Sequence, residues 1–238
     1  MNKYKLKNFK INDKENILIY TNQNIFESNL TTRLLIEGCK KIIKKNYKIL
    51  DLGCGSGIVS NYFFKKKIIN KIYSSDVSKE AVYCARYNAQ RIGASYDIRL
   101  GTLLDKWKGN KFDLIINDIS GISNKMNSLT NWYNSAPNKS GVDGTNFTLK
   151  ILKKYRNYLK KNGKLIFPII GLSNKKKIFQ FMKKQSIKYK MVASQDWPLP
   201  KELYKRKVLL NKLKKKNIIN YDERFNILIT NTEIFCCK

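Results

Sequence analysis

The run Lys48-Ile49-Leu50-Asp51-Leu52-Gly53-Cys54-Gly55-Ser56-Gly57 constrains this chain more than any other feature. A short apolar strand ends in an acid, then enters three glycines spaced by two, and a helical pattern opens at Ile58. Glycine permits the tight turn and lets a ligand lie against bare backbone. A nucleotide-phosphate site of the dinucleotide type would want glycine where Ile58 stands. Its pyrophosphate would also be poorly served by the carboxylate of Asp51.

The rest of the chain extends this unit. Strand signals fall at residues 48–52, 71–75, 96–100, 112–117 and 164–170, and helix signals at 28–45, 58–66, 79–93, 145–160 and 175–184. Such alternation with short connections predicts a parallel sheet covered on both faces. Residues 4–20 alternate apolar and polar around Asn12-Asp13-Lys14 and read as a hairpin. A Lys-rich amphipathic helix is expected over 201–216, covering the sheet after the break at Trp197-Pro198-Leu199-Pro200. Residues 193–194 and 225–235 read as the last strands. The expected division is an N-terminal hairpin extension over 1–24 and one α/β domain over 25–238. Within that domain 25–118 is the cofactor half, 119–144 a substrate loop and 145–238 the C-terminal half.

A second motif stands about 20 residues past the glycine turn: Tyr73-Ser74-Ser75-Asp76-Val77-Ser78. An acid at the end of the neighbouring strand can accept two hydrogen bonds from vicinal ribose hydroxyls. Ser78 also suits a helix cap. A cationic, phosphate-free cofactor tolerates both acids, and S-adenosylmethionine, with its ammonium and sulfonium groups, is such a molecule.

These motifs, with the helical run Ala81-Val82-Tyr83-Cys84-Ala85-Arg86-Tyr87-Asn88-Ala89, resemble the Rossmann-like class I S-adenosylmethionine-dependent methyltransferases. Within them the small-domain branch that includes the release-factor glutamine methyltransferases is most similar. Phe112-Asp113-Leu114-Ile115-Ile116-Asn117-Asp118 resembles the strand leading to that branch's catalytic motif, and residues 26–32 its opening helix, which closes over the cofactor. The resemblance spans residues 25–170 and implies a mostly parallel sheet with an antiparallel last strand. It implies that Asp51, Gly53, Cys54, Gly55 and Gly57 form the loop around the methionine half. Asp76 would bind ribose, Val77 pack on adenine, and Thr102 and Leu103 lie near its amino group; the family usually has an acid where Thr102 stands. Asp118 and Ser120 are the candidate catalytic residues, with Asp118 also near the cofactor. The branch carries Asn or Asp, two prolines and an aromatic ring, whereas Asp118-Ile119-Ser120-Gly121 keeps only the acceptor. Trp132 or Tyr133 is the candidate replacement wall.

Composition narrows the chemistry. The 238-residue chain has no histidine, which removes Ser-His-Asp and Cys-His nucleophile activation and the commonest metal ligand. No metal is expected. Its five cysteines show no CxxC pairing, which suits a reducing compartment. With no secretory signal and no apolar run near the roughly 20 residues of a membrane span, a cytoplasmic protein is expected. The net charge of +31 has two readings, an anionic partner such as RNA or an A/T-rich coding sequence. The function expected is N-methylation of a protein side chain of the translation machinery. The alternatives are RNA methylation and a non-catalytic cofactor-binding or RNA-binding module.

Overall fold

The computed structural model describes residues 3–119, 121–130, 132 and 139–238. The hairpin forms as expected, β1 (Lys5–Lys10) against β2 (Asn16–Thr21), in a two-stranded sheet of its own. It is joined to the α/β core. Ile11, Ile17 and Ile19 are buried in the main cluster. Asn88 binds both backbone groups of Tyr20, accepting from its N–H at 2.9 Å and donating to its carbonyl at 2.8 Å.

The main sheet is built around β3 (Ile49–Leu52), every residue of which is buried. β4 (Lys71–Asp76) and β5 (Ser95–Leu100) extend it on one side, β6 (Phe112–Asn117) and β7 (Leu159–Ile170) on the other, all in parallel. β8 (Tyr189–Pro198), β9 (Asp222–Arg224) and β10 (Ile227–Cys237) complete it. The strand order is β5-β4-β3-β6-β7-β10-β8, with β10 antiparallel to both neighbours and β9 paired on β10. Strand order reverses beside β3, and in open α/β sheets ligands bind beyond the carboxyl ends of the strands at such a point.

Side-chain alternation divides the core. On one face Ile49, Ile72, Leu114 and Ile116 meet α1 (Leu30–Lys40), α2 (Ile58–Lys65) and α3 (Lys79–Arg91). On the other Leu50, Leu52, Ile115 and Phe167 meet Trp107, α5 (Asn146–Lys154) and α6 (Lys175–Lys184). Between β6 and α5 the chain forms α4 (Asn124–Leu129), and before β9 it forms α7 (Lys207–Lys215).

Three expectations are corrected. The helix expected over 145–160 is α-helical over Asn146–Lys154 and tightens to a 3-10 turn over Tyr155–Tyr158, where the fully buried Tyr155 donates its hydroxyl to the Lys238 carbonyl at 2.6 Å. The chain then joins β6 as a strand from Leu159. The helix expected over 201–216 starts with a 3-10 turn and is α-helical only over Lys207–Lys215. Its Leu210 and Leu213 pack in a cluster separate from the two larger ones, with Ile122, Leu172, Leu199 and Leu228 of β10. The two-residue strand expected at 193–194 is the ten-residue β8. Its apolar residues, Tyr189, Met191, Val192, Ala193 and Trp197, do not alternate with polar ones and so hide the period, and Pro198 is tolerated at its end.

Candidate active site

The glycine turn after β3 is held from both sides. The N–H groups of Gly53 and Cys54 donate to the Ser75 carbonyl of β4 at 2.8 and 3.2 Å, and the Asp118 N–H donates to Leu52 O at 2.9 Å. Gly53, Gly55 and Gly57 have φ of 75°, 52° and 85°, in the left-handed region that favours glycine. Their surroundings differ. A Cβ on Gly53 would lie 2.8 Å from the Ile119 side chain and 3.2 Å from the Asp118 backbone, so this glycine lets the β3 and β6 ends meet. A Cβ on Gly57 would meet Asn61 at 2.9 Å and Ala85 at 3.3 Å. Gly55 has nothing within 4 Å and faces open space.

That space is a cavity of about 370 Å³. Gly53, Cys54 and Gly55 form one side, Asp76, Val77 and Ser78 the next, and Gly101, Thr102 and Leu103 the loop after β5. Asp118 and Ile119 come from the end of β6, and Phe26, Ser28, Thr31 and Thr32 from the segment that opens α1. Lys139, Phe147 and Ile170 close the far rim. Asn29 caps α1 by accepting from the Thr31 N–H, so the helix begins at Leu30.

Three carboxylates surround the turn, each with its own partners. Asp76 accepts from the N–H of Gly55 at 3.0 Å and of Ser78 at 2.8 Å, leaving further lone pairs on both oxygens. Asp118 Oδ2 accepts from the Thr32 hydroxyl at 2.7 Å. Asp51 does not line the cavity. Alternation along β3 turns it toward α2, where Oδ2 accepts from Ser60 at 2.8 Å and Oδ1 is buried without a partner among the described residues. Burial raises all three carboxyls, Asp51 to about 6 and Asp118 to about 7. The Ser60 and Thr32 hydroxyls lower their partners, while the other carboxylates raise Asp118 further. In a chain of net charge +31, this pocket concentrates negative charge.

The pH dependence follows from the raised values. A carboxyl raised by folding contributes stability that is complete below its unfolded value near 4 and is lost as pH rises through its folded value. The ligand-free protein is therefore expected to melt at a lower temperature at pH 8 than at pH 5. A penalty on the order of 2 kcal/mol corresponds to a difference of roughly 4–8 °C. Asp118→Asn should shrink that difference in circular-dichroism melts; an unchanged profile contradicts the assignment.

Of the sequence-predicted residues, Gly53, Cys54, Gly55, Asp76, Val77, Thr102, Leu103 and Asp118 line one cavity, whereas Asp51 and Gly57 stand behind its wall. Val77 is 52% exposed, an apolar surface turned to the cavity. The Cys54 thiol is pushed well up by burial, which leaves it protonated. Ser120 and Tyr133 lie outside the described residues. Trp132 is not part of the wall: it packs against Trp197, ring centroids 6.0 Å apart. Phe147, Ile170 and the Thr32 hydroxyl were not singled out by the sequence reading. The Thr32–Asp118 pair spans 86 residues, and no local pattern announces it.

The chain resembles known methyltransferases in sequence over part of its length and in fold over most of it. Residues 16–118 match the family model of the methyltransferase small domain. A ribosomal protein L11 methyltransferase of Paraburkholderia phymatum is 32% identical over 114 residues, covering 48% of this chain and 36% of the relative. The chain thus spans about a third of the length of that relative. Among solved structures, a ribosomal protein L11 methylase from Lactobacillus delbrueckii subsp. bulgaricus superposes with a TM-score of 0.53 at 19% identity, covering 88% of this chain and 80% of that one. One chain of an E. cuniculi complex responsible for methylation of the eRF1 translation termination factor gives 0.56 at 11% identity, covering 91% of this chain and 99% of that one. The fold is the class I methyltransferase fold.

Proposed function

We propose that this chain, with a class I methyltransferase fold and a small-domain match over residues 16–118, transfers a methyl group from S-adenosylmethionine to a protein side chain of the translation machinery. One observation carries the reading: an acid-lined cavity opens at a bare glycine turn in a strongly basic chain. The donor set fits a cation without phosphate and has little to offer a pyrophosphate. Gly53, Cys54 and Gly55 would hold the methionine half against bare backbone, and Asp76 has lone pairs left for ribose hydroxyls. Val77 offers the apolar surface for adenine, beside Thr102 and Leu103. Asp51 and Gly57 act from behind the wall, the first by its field and the second by fixing the turn.

When bound, this cofactor supplies an already activated methyl group. The protein then has to align a nucleophile, and positioning of this kind contributes roughly 7–11 kcal/mol. Asp118 accepts a hydrogen bond from the target nitrogen, orients its lone pair and is placed to take its proton. Thr32 holds the carboxylate in position from the segment that opens α1. The acceptor role needs the ionised carboxylate, so a value raised to about 7 sets activity to rise with pH across neutrality.

The names of the relatives support a ribosomal or termination-factor protein as acceptor. The test is to incubate the protein with methyl-labelled cofactor and fractionated lysate. Label in a ribosomal or translation-factor protein supports the reading. Label confined to RNA replaces the acceptor class, and no label in any fraction removes the enzymatic reading.

A further inference from the structure

A second concave surface lies outside the cavity, between α5 and α6. This groove of about 430 Å³ is lined by Lys150 and Lys153 of α5, Lys177 and Phe181 of α6, and the loop through Asp143. It begins where the cavity ends: Asn146 lines the groove and Phe147, the next residue, lines the cavity.

Charge is sharply segregated here. Between residues 144 and 195 the chain has thirteen lysines, one arginine and no acid, although Asp and Glu number 17 in all. Among the described residues three of those fourteen cations form ion pairs, Lys160 with Asp113, Lys175 with Glu233 and Lys177 with Asp143. The last of these neutralises the acid that lines the groove. The other eleven form none, and all of them but Lys164 are exposed. Coding bias toward lysine explains many lysines but not a 52-residue stretch without an acid. The field runs from the groove to the ends of both helices, where Lys153, Lys154, Lys183 and Lys184 stand, and on to Lys188 and Lys190. Between the last two, Tyr189 is 45% exposed, its ring supported by Phe179 and Phe235 at 5.6 Å.

We propose that the groove between α5 and α6, with the lysine field around it, binds the phosphate backbone of RNA and so holds an RNA-containing particle beside the cavity. Lysines act as point charges that follow a phosphate chain without reading bases, and an exposed, supported tyrosine suits base stacking. With one arginine among the fourteen cations, the surface suits diffuse attraction to phosphates without bidentate readout of bases. The exposed positions of α6 are Lys176, Lys177, Gln180, Lys183 and Lys184, with no bulky apolar residue to enter a lipid surface. The proposal goes beyond the methyl-transfer reading and needs no cofactor, so either can fail alone.

The test is fluorescence anisotropy of the full chain with a labelled 25-nucleotide RNA, titrated against salt. The comparison pairs Lys150→Glu/Lys153→Glu with Lys5→Glu/Lys14→Glu, an equal charge change on exposed hairpin residues. Melts of both variants, and the milder Lys150→Ala/Lys153→Ala, guard against misfolding. The expected result is at least a tenfold loss of affinity for the groove variant and under threefold for the hairpin variant. The groove variant should also show a smaller salt slope, by about 0.7 for each phosphate it no longer neutralises. Equal losses in the two variants would reduce the effect to bulk charge and overturn the proposal. So would an absence of binding near physiological salt, or preferential binding to polyglutamate or phosphatidylserine vesicles.

Discussion

Replacing Asp118 with alanine is expected to lower methyl transfer by about 10²–10⁴-fold, the usual contribution of a positioned acid or base. Cofactor affinity should change by less than about tenfold. The asymmetry follows from where this carboxylate stands. It comes from the end of β6, lines the cavity and, among the described residues, makes one side-chain bond, to Thr32. The carboxylate does not bind the glycine turn, which is held by the Ser75 carbonyl, the Asp76 carboxylate and the Asp118 backbone N–H, a bond that side-chain replacement leaves in place. Asp118→Asn keeps an acceptor oxygen without the ability to take a proton. Its rate should therefore fall between those of wild type and alanine variant, without the rise through pH 7. Kinetics and calorimetry on the same preparations check this, and equal losses of turnover and cofactor affinity would recast Asp118 as a binding residue.

The second large effect separates two glycines two residues apart. Gly55→Ala places a methyl group where nothing lies within 4 Å, at a φ of 52°. The fold should lose about 1–2 kcal/mol for the left-handed backbone. Cofactor affinity should fall roughly 10–100-fold, because a well-packed ligand meets an extra methyl group at a cost of about 1–3 kcal/mol. Gly57→Ala meets Asn61 and Ala85 instead, inside the packing of α2 on α3. It should destabilise the protein more than Gly55→Ala while its folded fraction binds the cofactor more tightly than that variant. Urea denaturation and titration of both proteins decide the matter; the reverse order of effects would place the cavity on the wrong side of the turn.

Most of the fold was legible because the central strands and their helices carry strong periods. β6 and α6 fall where the sequence places them, over Phe112–Asn117 and Lys175–Lys184. Legibility failed where tertiary packing overruled local preference. The helix expected to reach residue 160 tightened into a 3-10 turn at Tyr155, and α7 packed into a third cluster, smaller than the two on the main faces. In the site, glycine spacing and two strand-end acids announced the cavity. Asp51 read as a ligand residue because sequence gives its position at the strand end; its direction comes from alternation along β3, which turns it to Ser60. Thr32 was unreadable for a different reason: a hydroxyl on an amphipathic helix gains meaning only when the fold sets it 2.7 Å from Asp118.

A cavity built for a positively charged, phosphate-free cofactor is the central claim, and isothermal titration with S-adenosylmethionine, S-adenosylhomocysteine and a nicotinamide dinucleotide tests it most directly. The first two should give saturable one-site heats and the dinucleotide none. A cationic ligand favours ionised Asp118, so near pH 7 the sulfonium compound should release more protons than its demethylated product, read as a heat that varies with the buffer's ionisation enthalpy. No heat with either sulfur compound, or binding of the dinucleotide instead, would contradict it.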